Sequence, residues 1–225
     1  MNQPKIYYIP LSEISDQEFF RYYHTNLSEE DRGIIGKYSV KRLKEYVVGR
    51  ALLKLALKLE MGLDIEILKL AKNPYGKPFL EEYEDIHFNI SHSEDLVMVI
   101  LSDTSPVGLD VEFVRKDYLD VMDEVFSIEE IKHIQSYSTK EEMIYSFFKL
   151  WTKKEAIIKA DGRGFSYPLK KLQFSSVDDT NGFINGWWFH TFPLEEDYLV
   201  SIALMHSCHS PCIRKFSSIA CMIEN

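Results

Sequence analysis

The chain has 225 residues, a formal net charge of −9 at pH 7 and 45% hydrophobic residues. This length suits one large domain or two small ones, and the apolar content is typical of a folded globular protein. The negative charge argues against a nucleic-acid partner, because phosphate backbones are held mainly by Lys and Arg. The sequence has no run of about 18 apolar residues and no secretion-signal pattern, so we expect no membrane association.

The three cysteines, Cys208, Cys212 and Cys221, cluster near the C-terminus. An odd, clustered set does not make a disulfide framework, which favours a reducing, cytoplasmic location. The string HSCHSPC, which contains two of them, matches no paired zinc-ligand spacing. We therefore expect no metal site in this tail, whose residues 207–225 lack clear periodicity.

Hydrophobic periodicity and turn residues predict an alternation of helices and strands. In chain order the predicted elements are a basic amphipathic helix at 37–59, a turn in NPYGKP, a hairpin of strands 86–90 and 96–101 joined by the loop SHSED, a strand at 107–113, helix from 127 to 159 ended by Asp161 and Gly162, and a second hairpin of strands 186–192 and 198–205. A helix followed by a hairpin thus occurs twice, at about 37–101 and 141–205. This repetition predicts two similar α+β halves, with a cleft between them as the expected ligand site.

Two carboxylates on the strand at 107–113 are candidate metal ligands. Asp110 and Glu112 are two residues apart and therefore project from the same face. Mg²⁺ prefers one or two carboxylates together with substrate phosphate, although a solvated acidic strand face would show the same spacing. Glu155 and Lys159 share one helix face in WTKKEAIIK, where an ordinary surface ion pair is the simpler explanation.

Phosphate-binding candidates occur in one loop and on the first helix. Ser91 and His92, in the predicted hairpin loop, could donate hydrogen bonds to a phosphate, whereas the pattern around Lys77 in YGKP indicates only a turn lysine. Each is also an ordinary loop residue, and the basic helix is equally explained as a solvated face. The sequence contains none of the common nucleotide-binding, hydrolase or zinc-protease motifs.

The order of these elements resembles the phosphopantetheinyl transferases. The strings VGLDVE at 107–112 and WTKKEAIIK at 151–159 are similar to that family's bipartite signature, and YGKP at 75–78 and FNISHS at 88–93 are similar to two further family elements. The resemblance covers about residues 30–170. It indicates the larger, two-lobed Sfp type, usually a monomer, with the fold class α+β and two pseudo-twofold-related halves, here 1–105 and 106–225 with the metal site at their interface.

The resemblance implies a Mg²⁺-dependent transfer of the 4'-phosphopantetheine group of coenzyme A to a serine of an apo carrier protein, with release of 3',5'-ADP. It also implies the site residues. Asp110, Glu112 and Glu155 would hold the metal, Lys159 the phosphates, Ser91 and His92 the ribose 3'-phosphate, and Tyr75 and Lys77 the adenine, while Glu130 would act near the acceptor serine. The serine proton could pass to Glu155, to Glu130 or to a metal-bound water.

One position departs from the family pattern. Similar proteins often carry an arginine four residues before the helix glycine, here Gly49, as part of the 3'-phosphate site. This chain has Glu45 there, with Arg42 and Lys44 nearby, and we assign Lys44 to the phosphate.

Two other functions are consistent with the candidate site residues. One is a binding module that transfers nothing, and the other is a Mg²⁺-dependent nucleotide pyrophosphatase that would not need an acceptor protein.

Overall fold

The structure is a computed structural model that describes residues 3–114, 121–207 and 211–219. The chain divides into two compact units. Unit 1 comprises residues 1–71, 78–104 and 210–225, and unit 2 comprises residues 72–77 and 105–209. Two segments differ from the expected division at residue 105, since 72–77 groups with unit 2 and the C-terminal strand groups with unit 1. No helix of the described ranges has the length and apolar character needed to cross a membrane.

Unit 1 is a four-stranded sheet covered by helices. Its strands, in spatial order, are β10 (Cys212–Lys215), β1 (Lys5–Pro10), β5 (Leu96–Ser102) and β4 (His87–Ser93). The helices are α1 (Asp16–Thr25), α2 (Glu29–Ile35) and α3 (Val40–Met61), and the short strands β2 (Ala71–Lys72) and β3 (Pro78–Phe79) form a separate two-stranded ladder. The strand β10 runs parallel to β1, which explains why this part of the tail belongs to unit 1.

The helix α3 forms the centre of unit 1. Ser39 caps its N-terminus, and Gly62 ends it in the left-handed conformation that favours glycine. Its apolar side packs on β1, β4 and β5. The basic side is only partly solvated, because Arg50 and Lys54 are buried. Arg50 donates to Asp31 at 2.7 Å, and the Lys54 ammonium donates to a side-chain amide oxygen and a backbone carbonyl.

Unit 2 is a second four-stranded sheet with one long helix against it. The strands, in spatial order, are β6 (Val107–Phe113), β9 (Tyr198–Leu204), β8 (Trp187–Leu194) and β7 (Asn181–Ile184), all antiparallel. The helices are α4 (Met122–Val125), α5 (Ile128–Gln135) and α6 (Lys140–Asp161), of which α6 packs on β6, β8 and β9. Each unit thus contains a long helix packed on a hairpin, which confirms the α+β class and the repeated helix–hairpin pattern.

Two predicted boundaries were wrong. The helix expected over 127–159 is two helices, because Ser127 caps α5 and Thr139 caps α6, and each closes a capping box with the glutamate three residues later. The predicted loop SHSED is mostly strand. Ser91 and His92 continue β4 opposite Met98 and Val97, and only Glu94 and Asp95 form the turn. A two-residue turn matches the twist of the flanking strands, and Glu94 adopts the positive φ of 49° that such turns use.

Candidate active site

The helix α6 lies directly on the strand β6, and Gly108 permits this approach. A Cβ atom at Gly108 would lie 1.9 Å from the backbone oxygen of Ala156 and 2.5 Å from the backbone nitrogen of Ala160. Both distances are far below any real contact, so only glycine fits. The glycine in VGLDVE therefore sets the distance between the strand that carries Asp110 and the helix that carries Glu155 and Lys159.

Asp110 and Lys159 form an ion pair where β6 meets α6. The Lys159 Nζ donates to the Asp110 Oδ1 at 2.5 Å. The Asp110 residue is 3% exposed, whereas the Lys159 side chain keeps 27% of its surface exposed. Burial disfavours the ammonium, but the Asp110 and Glu155 carboxylates outweigh burial and raise the pKa of Lys159. Lys159 is therefore a fixed cation that remains within reach of an arriving anion.

Glu155 is the second buried carboxylate of this group. It is 8% exposed, and its Oε1 has no hydrogen-bond partner among the described residues. Burial raises the pKa of Glu155 to about 7, the negative charge of Asp110 adds to the rise, and Lys159 opposes it. The Asp110 charge thus disfavours ionisation of Glu155, unless a cation compensates the two carboxylates.

Glu112 lies two residues beyond Asp110 on β6 and interacts with α6 through Trp151. The Trp151 Nε1 donates to the Glu112 Oε1 at 3.2 Å. Trp151 is the first residue of the WTKKEAIIK string, so this tryptophan orients a carboxylate on the neighbouring strand. A sequence motif does not reveal such a contact, because it depends on the distance between β6 and α6.

The chemistry of this group suits a hard cation. Asp110, Glu155 and Glu112 offer carboxylate oxygens, which Mg²⁺ prefers, and the Glu155 oxygen that has no partner adds a buried acceptor. In the described ranges, no set of three or more His, Cys, Asp or Glu side chains is already arranged around one point. The carboxylates are instead gathered about the Lys159 ammonium. They fit a metal that takes one or two protein ligands and completes its shell with phosphate and water.

Glu130 occupies a different environment. The Lys154 Nζ donates to the Glu130 Oε2 at 2.6 Å, and both side chains are almost fully buried. The same oxygen accepts from the backbone N–H of Ser127. Lys154 also donates to the carbonyls of Val125 and Leu169. The lysine and glutamate therefore join α4, α5 and α6, and Glu130 is not in contact with the Asp110 group.

The YGKP turn packs on the same strand and helix. The Lys77 Nζ donates to the carbonyls of Ala160 at 3.0 Å and Val107 at 3.3 Å. Burial lowers the pKa of Lys77 to about 8. Tyr75, at the tip of the turn, is 56% exposed. Lys77 thus fixes the turn to unit 2 and leaves the Tyr75 ring accessible to a ligand.

The phosphate-binding candidates of unit 1 lie between α3 and β4. Arg42 Nη1 contacts the His92 imidazole and lies 3.3 Å from the Glu45 Oε2, and His92 Nδ1 is 3.3 Å from the same oxygen. The Lys44 Nζ, in contrast, donates to the carbonyl of Ile14 at 3.4 Å. The cation beside His92 is therefore Arg42. The spacing of three residues between Arg42 and Glu45 on α3 places the two side chains on one helix face and was the available signal for their pairing. Ser91 is buried in β4.

The cysteine-rich tail lies only partly within the described residues. Cys208, His209 and Cys221 lie outside the described residues. Cys212 is a free thiol in β10.

Comparison with known proteins identifies the family. Residues 106–203 match the model of the 4'-phosphopantetheinyl transferase superfamily, and residues 14–104 match the model of the 4'-phosphopantetheinyl transferase N-terminal region. The two matches correspond closely to the two units. The first match includes Asp110, Glu112, Glu155 and Lys159, and the second includes Arg42, Glu45 and His92.

Individual relatives agree with the family models. The chain is similar to the 4'-phosphopantetheinyl transferase Sfp of Bacillus subtilis, with 30% identity over 92% of this chain and 81% of the relative. It is 34% identical to the 4'-phosphopantetheinyl transferase gsp of Aneurinibacillus migulanus over 70% of this chain and 65% of that protein. The human L-aminoadipate-semialdehyde dehydrogenase-phosphopantetheinyl transferase is 24% identical over 80% of this chain and 67% of its own length. The chain therefore belongs to the 4'-phosphopantetheinyl transferase superfamily, with the two-part organisation of its Sfp-type members.

Proposed function

We propose that this enzyme transfers the 4'-phosphopantetheine group from coenzyme A to a serine of an apo carrier protein, with Mg²⁺ bound and with release of 3',5'-ADP. As a member of its family, the chain is a transferase that uses coenzyme A and acts on carrier proteins. The observation that supports the proposed chemistry best is the pairing of the buried carboxylates of Asp110 and Glu155 with the partly exposed Lys159 at the contact of β6 with α6.

The proposal assigns the metal to the carboxylates of Asp110, Glu155 and Glu112. When bound, Mg²⁺ would supply positive charge against the pyrophosphate oxygens of coenzyme A. Lys159 binds the same phosphates through its exposed side. Because Asp110 fixes the ammonium by a 2.5 Å hydrogen bond, the cation is already in position and little reorganisation accompanies the reaction.

The acceptor serine must lose a proton as its oxygen attacks the β-phosphorus. The new serine O–P bond forms, the bond between that phosphorus and the bridging oxygen breaks, and 3',5'-ADP leaves. Glu155 fits the role of proton acceptor better than Glu130. Both glutamates have an Oε1 without a hydrogen-bond partner in the described part of the chain. Glu130, however, accepts from the buried Lys154 at 2.6 Å, whereas Glu155 lies beside Asp110 and Lys159 and burial raises its pKa to about 7.

The remaining site residues belong to coenzyme A recognition. Ser91, His92 and Lys44 are proposed for the ribose 3'-phosphate, together with Arg42 because of its contact with His92. Tyr75 and Lys77 are proposed for the adenine, with Tyr75 providing an exposed ring on a turn that Lys77 holds in place. We further propose that the enzyme acts as a monomer in the cytoplasm.

The experiment that tests this function follows both products. The enzyme is incubated with coenzyme A and Mg²⁺, with or without an apo carrier protein, and 3',5'-ADP release and carrier mass are measured. We expect 3',5'-ADP only when the carrier is present, in equal amount to the phosphopantetheinylated carrier. Nucleotide release without carrier would instead indicate a pyrophosphatase. Binding of coenzyme A with no product from a panel of carriers would indicate a binding module.

A matched pair of variants connects the activity to the site. Glu155→Gln removes the buried carboxylate that has the raised pKa, and Glu129→Gln removes an exposed carboxylate on α5. We expect the first change to lower transfer by at least about a hundredfold, the size typical of losing a general base, and the second to leave transfer unchanged. Equal activity of the two variants would contradict the assignment of Glu155.

A further inference from the structure

The cations around His92 are already paired with carboxylates of the chain. The Lys41 Nζ lies 2.8 Å from the Glu94 Oε2, and the Arg42 Nη1 lies 3.3 Å from the Glu45 Oε2. The His92 Nδ1 also lies 3.3 Å from that Glu45 oxygen. One carboxylate oxygen thus contacts both groups that would receive a phosphate.

The charges of this cluster do not favour a doubly charged anion. Two cations, Lys41 and Arg42, are paired with two glutamates, Glu94 and Glu45, so these four side chains sum to zero when His92 is neutral. Lys44, the further cation proposed for this phosphate, donates instead to the carbonyl of Ile14. The Glu45 side chain is 8% exposed, whereas the Arg42 side chain is 45% exposed. Water therefore screens the repulsion between a bound phosphate and Glu45 poorly. A phosphate that binds Arg42 and His92 must also compete with Glu45 for their N–H donors.

We propose that Glu45 is a specificity-determining residue that weakens recognition of the ribose 3'-phosphate, so that the enzyme uses donors lacking this phosphate alongside coenzyme A. The donor class is 3'-dephospho-coenzyme A. The serine O–P bond forms and the pyrophosphate P–O bond breaks as before, the serine proton passes to the enzyme, and adenosine 5'-phosphate leaves instead of 3',5'-ADP. This inference rests on the proposed function, in which the ribose 3' position lies at His92.

Glu45 could instead strengthen recognition of the 3'-phosphate, and the test must distinguish these two roles. A carboxylate behind an arginine and a histidine can orient both for an anionic ligand, in which case its removal weakens binding. The two roles predict changes of opposite sign in donor preference. The quantity to measure is the ratio of kcat/KM for coenzyme A to kcat/KM for 3'-dephospho-coenzyme A, using one carrier protein.

The variant is Glu45→Gln, which keeps the shape of the side chain and removes its charge. The control is Asp64→Asn, which removes an exposed carboxylate of unit 1 that pairs with Lys58 at 3.0 Å and thus changes the net charge equally. We expect the ratio to rise at least about fivefold in Glu45→Gln, which is about 1 kcal/mol at 1.4 kcal/mol per tenfold. The rise should come from a lower KM for coenzyme A, and Asp64→Asn should keep the wild-type ratio.

A ratio that stays constant or falls in Glu45→Gln would overturn the proposal and assign Glu45 a positioning role. Calorimetric binding of 3',5'-ADP and adenosine 5'-phosphate to the wild-type enzyme gives a second readout that needs no folded variant and no turnover. We expect affinities within about tenfold of each other, a difference of at most 1.4 kcal/mol, and a larger preference for 3',5'-ADP would overturn the inference. Absence of transfer from both donors would count against the proposed function, while this binding comparison would still test whether the enzyme recognises the 3'-phosphate weakly.

Discussion

Substitution of Gly108 tests whether the contact between β6 and α6 builds the site. In Gly108→Ala the new methyl group would lie 1.9 Å from the Ala156 carbonyl oxygen, so strand and helix must separate by more than 1 Å to reach about 3.0 Å. The two nearest atoms, the Ala156 oxygen and the Ala160 nitrogen, belong to the backbone, so no side-chain rotation can relieve these contacts. Overpacking of this kind costs about 1–3 kcal/mol, and we expect at least the upper end here. The separation would also lengthen the 2.5 Å hydrogen bond between Lys159 and Asp110.

Urea denaturation and transfer activity measure the two effects. We expect Gly108→Ala to lower the free energy of unfolding by about 3 kcal/mol and to raise the Mg²⁺ concentration needed for half-maximal transfer. The matched control is Gly33→Ala in α2, where an added Cβ has no neighbour within 4 Å. That change should stabilise the protein by about 0.5–1 kcal/mol, because alanine favours helix over glycine. A Gly108→Ala protein as stable as wild type would refute the assigned role of this glycine.

Three further predictions concern buried charges. Burial raises the pKa of Glu155 from 4.5 to about 7, so the metal-free protein should lose stability as the pH rises from 4.5 through 7, and denaturant titrations of Glu155→Gln should lack that loss. Lys154→Met leaves Glu130 buried without its cation, which should lower the free energy of unfolding in urea by about 3–5 kcal/mol. A decrease below about 1 kcal/mol would contradict the pairing. Burial lowers the pKa of Lys153 from 10.5 to about 7, so wild-type stability should increase between pH 7 and 10.5, and Lys153→Met should show no such increase.

Much of the fold could be predicted from local sequence signals. Asp161 and Gly162 mark the end of α6 because glycine readily adopts the left-handed conformation after a helix, and β6 has the predicted bounds. The helix break at 136–139 was missed because apolar residues continue on both sides of it. Ser127 and Thr139, each followed by glutamate three residues later, were the available signals. The strand extension through His92 was missed because serine and histidine are common in loops.

The site was less predictable, because the roles of its residues depend on depth and partners. Lys154 and Lys159 lie in one motif and have the same chemistry, yet Lys154 is fully buried against Glu130 and Lys159 reaches the surface beside Asp110. Helical spacing alone cannot assign these depths, since they depend on the sheet against which α6 packs. The position of Arg42 beside His92 likewise results from the packing of α3 on β4.

The most direct test of the account is the metal dependence of transfer in the wild-type enzyme and Asp110→Asn. Coenzyme A and an apo carrier protein are incubated with each enzyme, with Mg²⁺ or with chelator, and the carrier is analysed by intact mass. Phosphopantetheinylated carrier should form only with the wild-type enzyme and Mg²⁺, because Asp110 both offers a metal ligand and fixes Lys159 at 2.5 Å. Undiminished transfer by Asp110→Asn, or by the wild-type enzyme in chelator, would refute the proposed metal site.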